Sequence, residues 1–207
     1  MSILNFQKPD KILLQKATDF HGQFEFKPLE PGFGQTIGNS LRRILLSSLE
    51  GYAISAIRIA GVDHEFSSIP GVVEDVVDII LNIKQIRLKS AVKGDKATEH
   101  QIYITISGQD EFRAKDIESR TNMFKVMNPE LLICKMEPSV NLELEMTITK
   151  GRGYVPAEEN MPENAPIGVI PVDAIYTPLK KVSYHVSNTR VGQRTDYEKL
   201  SIEVETD

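Results

Sequence analysis

Three glycines at the start of a predicted helix are the first residues whose spacing could support chemistry. Gly32, Gly34 and Gly38 form the pattern G-x-G-x-x-x-G, and the free N–H groups at a helix N-terminus can bind a phosphate. The spacing is wrong for a dinucleotide-binding loop, and the Gly-Lys-Ser/Thr of a P-loop does not follow. We therefore interpret these glycines as turn and close-packing positions. The alternative is a small enzyme that binds a phosphorylated ligand at the turn from Gly32 to Gly38.

Residues that commonly bind metals or act as nucleophiles are few and far apart in the sequence. Cys134 is the only cysteine and follows an apolar run at 131–133, which predicts a small core residue and excludes an internal disulfide. His21, His64, His100 and His185 show no spacing typical of a metal site. The motifs G-x-S-x-G and H-E-x-x-H are absent from the sequence. We therefore predict no catalytic residue, no metal and no cofactor in this chain.

The clearest predicted helix runs from about residue 35 to residue 49, after the breaker pair Pro31-Gly32. At 100° per residue, one side of this helix carries an apolar stripe that would face the core or a partner. The stripe consists of Ile37, Leu41, Ile44, Leu45 and Leu49. On the outward side, a second and narrower stripe consists of Asn39, Arg43 and Leu46. Because arginine is enriched at interface hot spots, this second stripe is either a binding surface or simply an exposed leucine beside a solvated arginine.

Outside this helix, alternating apolar and polar residues predict antiparallel strands with one buried face. The predicted strands lie at 12–15 and 23–29, which form a hairpin, and at 52–66, 102–106, 140–149, 182–186 and 200–204. A second helix is predicted from Pro70 to about Gln85, and its inward face consists of Val73, Val76, Val77, Ile80 and Leu81. Glycine and proline are frequent at 151–171, which predicts a loop-rich segment. We therefore expect an α+β fold.

The distribution of charge argues against direct binding to nucleic acid. The formal net charge is −5, and residues 53–177 carry 13 basic and 19 acidic groups, whereas residues 1–52 and 178–207 are nearly neutral. A protein that binds the phosphates of DNA or RNA usually has a basic patch, and none is evident. No segment has the length of a membrane span or the pattern of a signal peptide. We expect a cytoplasmic protein that binds neither membranes nor nucleic acid.

Residues 29–48, LEPGFGQTIGNSLRRILLSS, closely resemble the α-subunit family of bacterial DNA-directed RNA polymerases. Four further segments resemble the family in the same order along the chain: 61–66 (GVDHEF), 79–84 (IILNIK), 151–157 (GRGYVPA) and 194–200 (RTDYEKL). The resemblance spans nearly the whole chain and is weakest at 90–125.

The resemblance implies a fold of two subdomains. A dimerisation subdomain, made of a helix and an antiparallel sheet, would comprise residues 1–52 and 178–207, and a mainly β subdomain at 53–177 would be inserted into it. In this family two α subunits pair, and the dimer is the platform on which the β and β′ subunits assemble, with ω and σ joining the full enzyme. The α subunit would then be a non-catalytic part of a nucleotidyltransferase complex.

The resemblance also implies roles for individual residues. Arg43 matches the family's principal β-contacting arginine, and Leu46 matches an apolar position of the same contact surface. The binding interpretation is therefore favoured for the stripe that these two residues form with Asn39. Positions near the contacts of the inserted subdomain with β or β′ are matched by Lys84, Arg152, Tyr154 and Val155. The core and the interface of the α dimer would share the apolar stripe, namely Ile37, Leu41, Ile44 and Leu45.

The family continues beyond the position of Asp207 through a further helix, a flexible linker and a small DNA-binding domain. The sequence ends at Asp207 and does not include these segments. We therefore expect no promoter contact by this chain and a dimer weaker than that of a complete subunit.

Overall fold

The computed structural model describes residues 8–9, 11–92, 97–161 and 165–207. The chain forms two compact units: unit 1 comprises the residues up to Leu49 together with Pro178–Asp207, and unit 2 comprises Glu50–Thr177. The first boundary lies at 49/50 rather than at 52/53, because the strand that begins at Glu50 pairs within unit 2. Part of the predicted loop at 151–171, residues 162–164, lies outside the described residues.

The expected α+β class is confirmed, since the helices accompany sheets whose strands are paired antiparallel. In chain order the elements are β1 (Lys11–Ala17), β2 (His21–Leu29), α1 (Phe33–Ser47), β3 (Glu50–Ile59), α2 (Val76–Ile83), β4 (Leu88–Ser90), β5 (Glu99–Ser107), β6 (Glu111–Arg113), α3 (Ala114–Arg120), β7 (Phe124–Val126), β8 (Leu132–Lys135), β9 (Asn141–Arg152), β10 (Tyr154–Val155), α4 (Ala157–Asn160), β11 (Val169–Pro171), β12 (Ala174–Ile175), β13 (Leu179–Val191) and β14 (Arg194–Thr206). Within the described residues, no helix combines the length and the apolar character needed to cross a membrane.

Unit 1 is a four-stranded antiparallel sheet in the order β1-β2-β14-β13, and α1 packs against β13 and β14. The predicted hairpin is the β1–β2 pair, and the predicted strands at 182–186 and 200–204 lie within β13 and β14. The buried residues of its apolar cluster are Leu29, Val182, Leu200 and Ile202. The helix residues that pack against them are Ile37, Leu41, Leu45 and Leu46.

The buried face of α1 is centred on Gly34 and Gly38, which are its two fully buried residues. At 100° per residue, Ile44 and Leu46 lie on opposite flanks of that face. Ile44 is 55% exposed, so within the stripe expected to serve the core and a partner it does not belong to the core of unit 1. Leu46 is half-buried and packs against the cluster of unit 1, so only part of its side chain lies on the outward surface expected for it. The physical reason is that the helix approaches the sheet most closely along Gly34 and Gly38, with Leu41 and Leu45 on the same face, which leaves Ile44 at one edge of that face and Leu46 at the other.

Unit 2 is built on a six-stranded sheet with the path β5-β9-β3-β4-β7, in which β11 also pairs with β3. The predicted strands at 102–106 and 140–149 lie in β5 and β9, which are antiparallel neighbours. Apolar side chains of β5 and β9 form one core with those of α2 and α3. Cys134 is fully buried in this core, and burial, with the nearby Glu74 carboxylate, raises the pKa of its thiol to about 12. The prediction that Cys134 is a small core residue is confirmed.

The second helix is shorter than predicted and buries a different face. It begins at Val76, where the side chain of Asp75 caps it by accepting the backbone N–H of Asp78 at 2.9 Å. The chain does not enter the helix at Gly71 because this residue has a φ of +80°, in the left-handed region. The buried helix residues are Val76, Ile79 and Ile83. Two residues of the predicted inward face are instead exposed, namely Val73 and Leu81.

Candidate functional site

The N-terminus of α1 already binds a carboxylate from its own chain. Glu198, on β14, accepts the backbone N–H of Gly32 through Oε1 and that of Gly34 through Oε2, each at 2.8 Å. The N-cap residue is Gly32, which has no side chain to cap the helix, so Glu198 performs this role from a distant strand. A phosphate at this position would need the same N–H groups. The geometry therefore gives no support to a phosphate-binding enzyme.

The glycines of this region have a structural function. Gly32 has a φ of +87°, a conformation that favours glycine in the turn before the helix. A Cβ added at Gly34 would lie 2.8 Å from Cγ1 of Val186, and a Cβ added at Gly38 would lie 2.5 Å from Cδ2 of Tyr184. Larger residues would push the helix away from β13. The interpretation of these glycines as turn and close-packing positions is confirmed.

The residues expected to contact a partner on α1 share one surface. Asn39, Arg43 and Leu46 line a shallow depression of about 310 Å³ together with Arg42 and Ser47; we call these five residues the α1 patch. Asn39 and Arg43 are exposed, whereas Leu46 is half-buried. Across the described ranges of the chain, the guanidinium of Arg43 forms no hydrogen bond or ion pair; the one side-chain contact at this residue is to its backbone carbonyl, which accepts from the hydroxyl of Ser47 at 2.7 Å. All the donors of Arg43 are thus available to an external group.

Helix α1 leaves part of the apolar face of the unit 1 sheet uncovered. Ile12 pairs with Phe26, and Phe26 pairs in turn with the buried Leu200, so the three side chains share one face of the sheet. Leu14 lies two residues further along the same face. Ile12 is 64% exposed and Leu14 is 58% exposed. Together with Ile44, these residues present large apolar side chains at the surface of unit 1.

In unit 2 the structure brings Lys84 and Tyr154 together. The Nζ atom of Lys84 lies 2.6 Å from Oδ2 of Asp173 and 5.9 Å from the ring centroid of Tyr154. The Lys84 ammonium and the N–H of Ala157, whose nitrogen lies 2.8 Å from Oδ1, hold the pKa of Asp173 below its usual value. Desolvation and a hydrogen bond to Asp173 raise the pKa of the Tyr154 hydroxyl. Lys84 is therefore an ion-paired lysine, whereas more than half of the Tyr154 side chain is exposed.

Two glycines set the path of the chain around Arg152. A Cβ added at Gly151 would lie 2.5 Å from the ring of Tyr176. Gly153 has a φ of +61°, and its carbonyl accepts the backbone N–H of Tyr176 at 2.8 Å. The chain thus turns closely around Tyr176 and leaves Arg152 and Tyr154 exposed.

Arg152 itself is bound by a carboxylate that is distant in the sequence. Glu50 accepts from Nη2 of Arg152 at 2.7 Å and lies 2.8 Å from Nζ of Lys150. The two cations, Lys150 first and then Arg152, lower the pKa of Glu50 to about 2. Val155 is half-buried and packs in a small cluster with Ala53, Ala174 and Tyr176. The four residues of unit 2 that are expected to contact a partner therefore lie in three different environments: the ion pair with Asp173, the ion pair with Glu50 and the small cluster around Tyr176.

One group of side chains has the geometry to hold a divalent cation. His21, Glu203 and Glu205 place one ligand atom each within 4.8 Å of one another. They meet because His21 pairs with Glu205 across β2 and β14, which is why spacing along the sequence does not reveal them. Nε2 of His21 lies 2.8 Å from Oε1 of Glu203, and this bond lowers the pKa of Glu203. Lys181 pairs with Glu205 at 3.4 Å, so each of the three groups already has a partner in the protein.

Sequence reasoning missed four residues that shape these surfaces. Arg42 could have been found by helical spacing, because it precedes Leu46 by four residues and therefore lies beside it. Glu50, Asp173 and Glu198 contact their partners across strands or from distant loops. No local pattern in a single sequence identifies such pairs.

Known proteins resemble this chain in sequence over its whole length. A family model described as RNA polymerase Rpb3/RpoA insert domain matches residues 57–177, which lie within unit 2. The chain is 58% identical to the DNA-directed RNA polymerase subunit alpha of Cytophaga hutchinsonii, 56% identical to that of Flavobacterium psychrophilum and 55% identical to that of Bacteroides thetaiotaomicron. All of this chain is covered in each case, and it spans 62% of the length of each relative. The chain therefore belongs to the RNA polymerase Rpb3/RpoA insert domain family, and its full-length relatives are α subunits of DNA-directed RNA polymerase.

Proposed function

We propose that this chain is the dimerisation and assembly part of an RNA polymerase α subunit. Two copies pair through unit 1, and the dimer holds the β and β′ subunits, with ω and σ joining the complete enzyme in the cytoplasm. The observation that carries the proposal is the α1 patch, where an exposed arginine with an uncommitted guanidinium lies beside a half-buried leucine. The chain supplies no catalytic group, metal or cofactor to nucleotidyl transfer, and it does not bind DNA directly.

Arg43 is the main contact of the α1 patch with the β subunit. Its guanidinium offers five N–H donors in a planar fork, and binding them to β breaks no bond to another described side chain. Asn39 adds donors and acceptors one helical turn away, and Leu46 adds apolar area. Removal of a buried, hydrogen-bonded charge from an interface costs ~2–5 kcal/mol, which corresponds to a loss of affinity of about 30-fold or more.

The uncovered apolar face of unit 1 supports pairing with a second copy. Ile12, Leu14 and Ile44 are all more than half exposed, and large exposed apolar patches usually mark interaction sites. Symmetric dimers are the commonest soluble oligomers and use the same patch on both subunits. Ile44 is the member of the apolar helix stripe that reaches this partner. Three other members of the stripe, Ile37, Leu41 and Leu45, pack against the cluster of unit 1 and support the helix.

The exposed side chains of Arg152 and Tyr154 form a second contact, made by unit 2 with β or β′. Lys84 is a positioning residue here, because its ion pair with Asp173 and its proximity to the Tyr154 ring hold that ring in place. Val155 packs below the surface and fixes the start of the segment that follows.

The test is capture of purified β subunit by the chain and by its Arg43→Ala variant, with the mass of each free protein measured by light scattering. Arg190→Ala is the matched control, since Arg190 is an exposed arginine of unit 1 that lies outside the α1 patch. We expect dimers in all three proteins, and we expect weaker β binding, by about 30-fold or more, in Arg43→Ala alone. Equal β affinity of a dimeric Arg43→Ala variant and the unaltered chain would refute the role of Arg43.

A further inference from the structure

The face of the unit 2 sheet that points away from its core carries an open groove. Along β9, the residues Leu142, Leu144, Met146 and Ile148 are buried, so the alternate residues point to the other face. In the middle of that face Glu145 pairs with Arg58 on β3 and with Tyr103 on β5. Two adjoining depressions of about 330 and 410 Å³ both include these three residues. We call the two depressions together the outer groove.

The outer groove is acidic. Its lining includes Glu99, Glu143 and Glu145, and Arg58 is its only basic residue. Arg58 is a distant partner of Glu145, with 3.9 Å between Nη1 and Oε2. Within the described ranges, neither Glu99 nor Glu143 forms an ion pair. The groove therefore has an excess of carboxylates that would attract a positively charged partner.

Two exposed side chains, one aromatic and one aliphatic, also line this acidic groove. The side chain of Tyr103 is 68% exposed and that of Ile167 is 87% exposed, and both line the first depression. Tyr103 also hydrogen-bonds to Glu145, which raises the pKa of its hydroxyl. Exposed aromatic and aliphatic side chains beside charged ones are typical of protein interfaces rather than of small-molecule sites.

The groove borders an edge strand that can accept hydrogen bonds from another chain. β5 is at the end of the sheet path, and among the described strands only β9 pairs with it. Its nine residues pair with β9 without a bulge, and its sequence EHQIYITIS contains neither lysine nor proline. Lysine, proline and bulges are among the devices by which proteins block an edge strand, as are other charged side chains, of which β5 carries Glu99 at its first position. A long regular edge without lysine, proline or a bulge is suited to the addition of an extended segment.

We propose that the outer groove and the edge of β5 that faces away from β9 bind an extended, basic segment of another protein, which adds to the sheet as a strand. Side chains of such a strand alternate between the two faces. Those on the outer face would be lysines or arginines that reach Glu99, Glu143 and Glu145, and those on the inner face would be apolar and extend the row of Ile102, Ile104 and Ile106. This surface lies in unit 2 and does not involve the α1 patch, so the inference does not depend on the proposed contact with β.

The test uses a fluorescent peptide, acetyl-Val-Lys-Val-Arg-Val-Lys-Val-amide, titrated with the 207-residue chain and followed by anisotropy. We expect saturable binding that weakens as the salt concentration rises from about 50 mM to about 500 mM, because salt screens exposed charges. A peptide with glutamate in place of each basic residue should not bind. Two further peptides keep all the charges, and each is N-methylated at every second amide, one along each edge of the strand. The peptide methylated on the edge that pairs with β5 should bind at least about tenfold more weakly, because it cannot form the hydrogen bonds of the strand ladder.

Variants of the chain distinguish binding at the outer groove from nonspecific electrostatic attraction between the acidic chain and the basic peptide. Glu99→Lys combined with Glu143→Lys should weaken binding of the basic peptide by about tenfold or more. Asp78→Lys combined with Glu130→Lys makes the same change in net charge at exposed positions outside the groove, and it should leave the affinity within about twofold. If the first variant fails to fold by circular dichroism, the corresponding glutamine variants and the methylated peptides give the same answer. Absence of saturable binding, equal effects of the two variants or unchanged binding of both methylated peptides would overturn the proposal.

Discussion

Replacement of Glu198 by alanine should loosen the first turn of α1. In the folded chain the two carboxylate oxygens accept the N–H groups of Gly32 and Gly34 at 2.8 Å each. The negative charge also lies at the helix end where the macrodipole favours it. The variant removes both acceptors and the charge, and it leaves the N-terminal N–H groups to water.

The size of the effect follows from the exposure of the two bonds. Loss of a helix cap costs ~0.5–2 kcal/mol, and a hydrogen bond to a charged group contributes ~1.5–3 kcal/mol when it is well shielded. The bond from Gly32 is exposed and the bond from Gly34 is half-buried, so water replaces part of the first. We therefore expect Glu198→Ala to destabilise the first turn by about 2 kcal/mol. Glu198→Gln keeps one neutral acceptor and should cost about half as much.

The local readout is amide hydrogen exchange, since a loss of about 2 kcal/mol corresponds to exchange that is about 30-fold faster in the first turn. The amides to follow are those of Gly34, Gln35 and Thr36. Glu205→Ala is the matched control, because Glu205 lies on the same strand but pairs with Lys181 and not with the helix. Unchanged exchange of these amides in Glu198→Ala would show that Glu198 does not cap α1 in solution.

Two further predictions follow from the close contacts and the ion pairs. Gly38→Ala would place a Cβ 2.5 Å from Cδ2 of Tyr184. The cost of overpacking, ~1–3 kcal/mol, should exceed the gain in helix propensity of ~1 kcal/mol. Urea denaturation should therefore show a less stable unit 1, and a stabilised variant would contradict the packing argument. Glu50, with a pKa of about 2 against an ordinary 4.5, should favour the folded state above pH 4.5 and lose this contribution as the pH falls towards 2. An NMR titration of the Glu50 carboxyl should show the low midpoint, Lys150→Met should raise it, and a midpoint near 4.5 in the unaltered chain would exclude the ion pair.

The sequence predicts the elements whose signal is local. Apolar and polar residues alternate at 140–149, and β9 is found at Asn141–Arg152. The helix predicted at 35–49 is found at Phe33–Ser47, since a stripe of apolar residues at helical spacing is visible within four turns. Asn39, Arg43 and Leu46 therefore share a surface as expected.

Other features depend on contacts that a local pattern does not contain. Periodicity places Ile44 in an apolar stripe but does not decide between the core and a partner; in the structure α1 packs closely at Gly38 against Tyr184, and Ile44 is exposed. Periodicity also places the start of the second helix too early, because apolar residues at helical spacing continue on the N-terminal side of Asp75, the residue that caps the helix. Glu198 has no local signal at all, since its partners lie more than 160 residues earlier in the chain.

A closely packed glycine and a carboxylate that is distant in the sequence position both sets of candidate contact residues. On α1, glycines allow close packing against the sheet, and Glu198 fastens the end of the helix that carries Arg43. In unit 2, Gly151 allows the chain to pack on Tyr176, and Glu50 holds Arg152. A side chain that is fixed before binding loses less conformational entropy when a partner arrives. In the proposed function, in which the α1 patch binds β, this rigidity adds to the affinity, so loss of Glu198 should weaken β binding even though Glu198 lies outside the α1 patch.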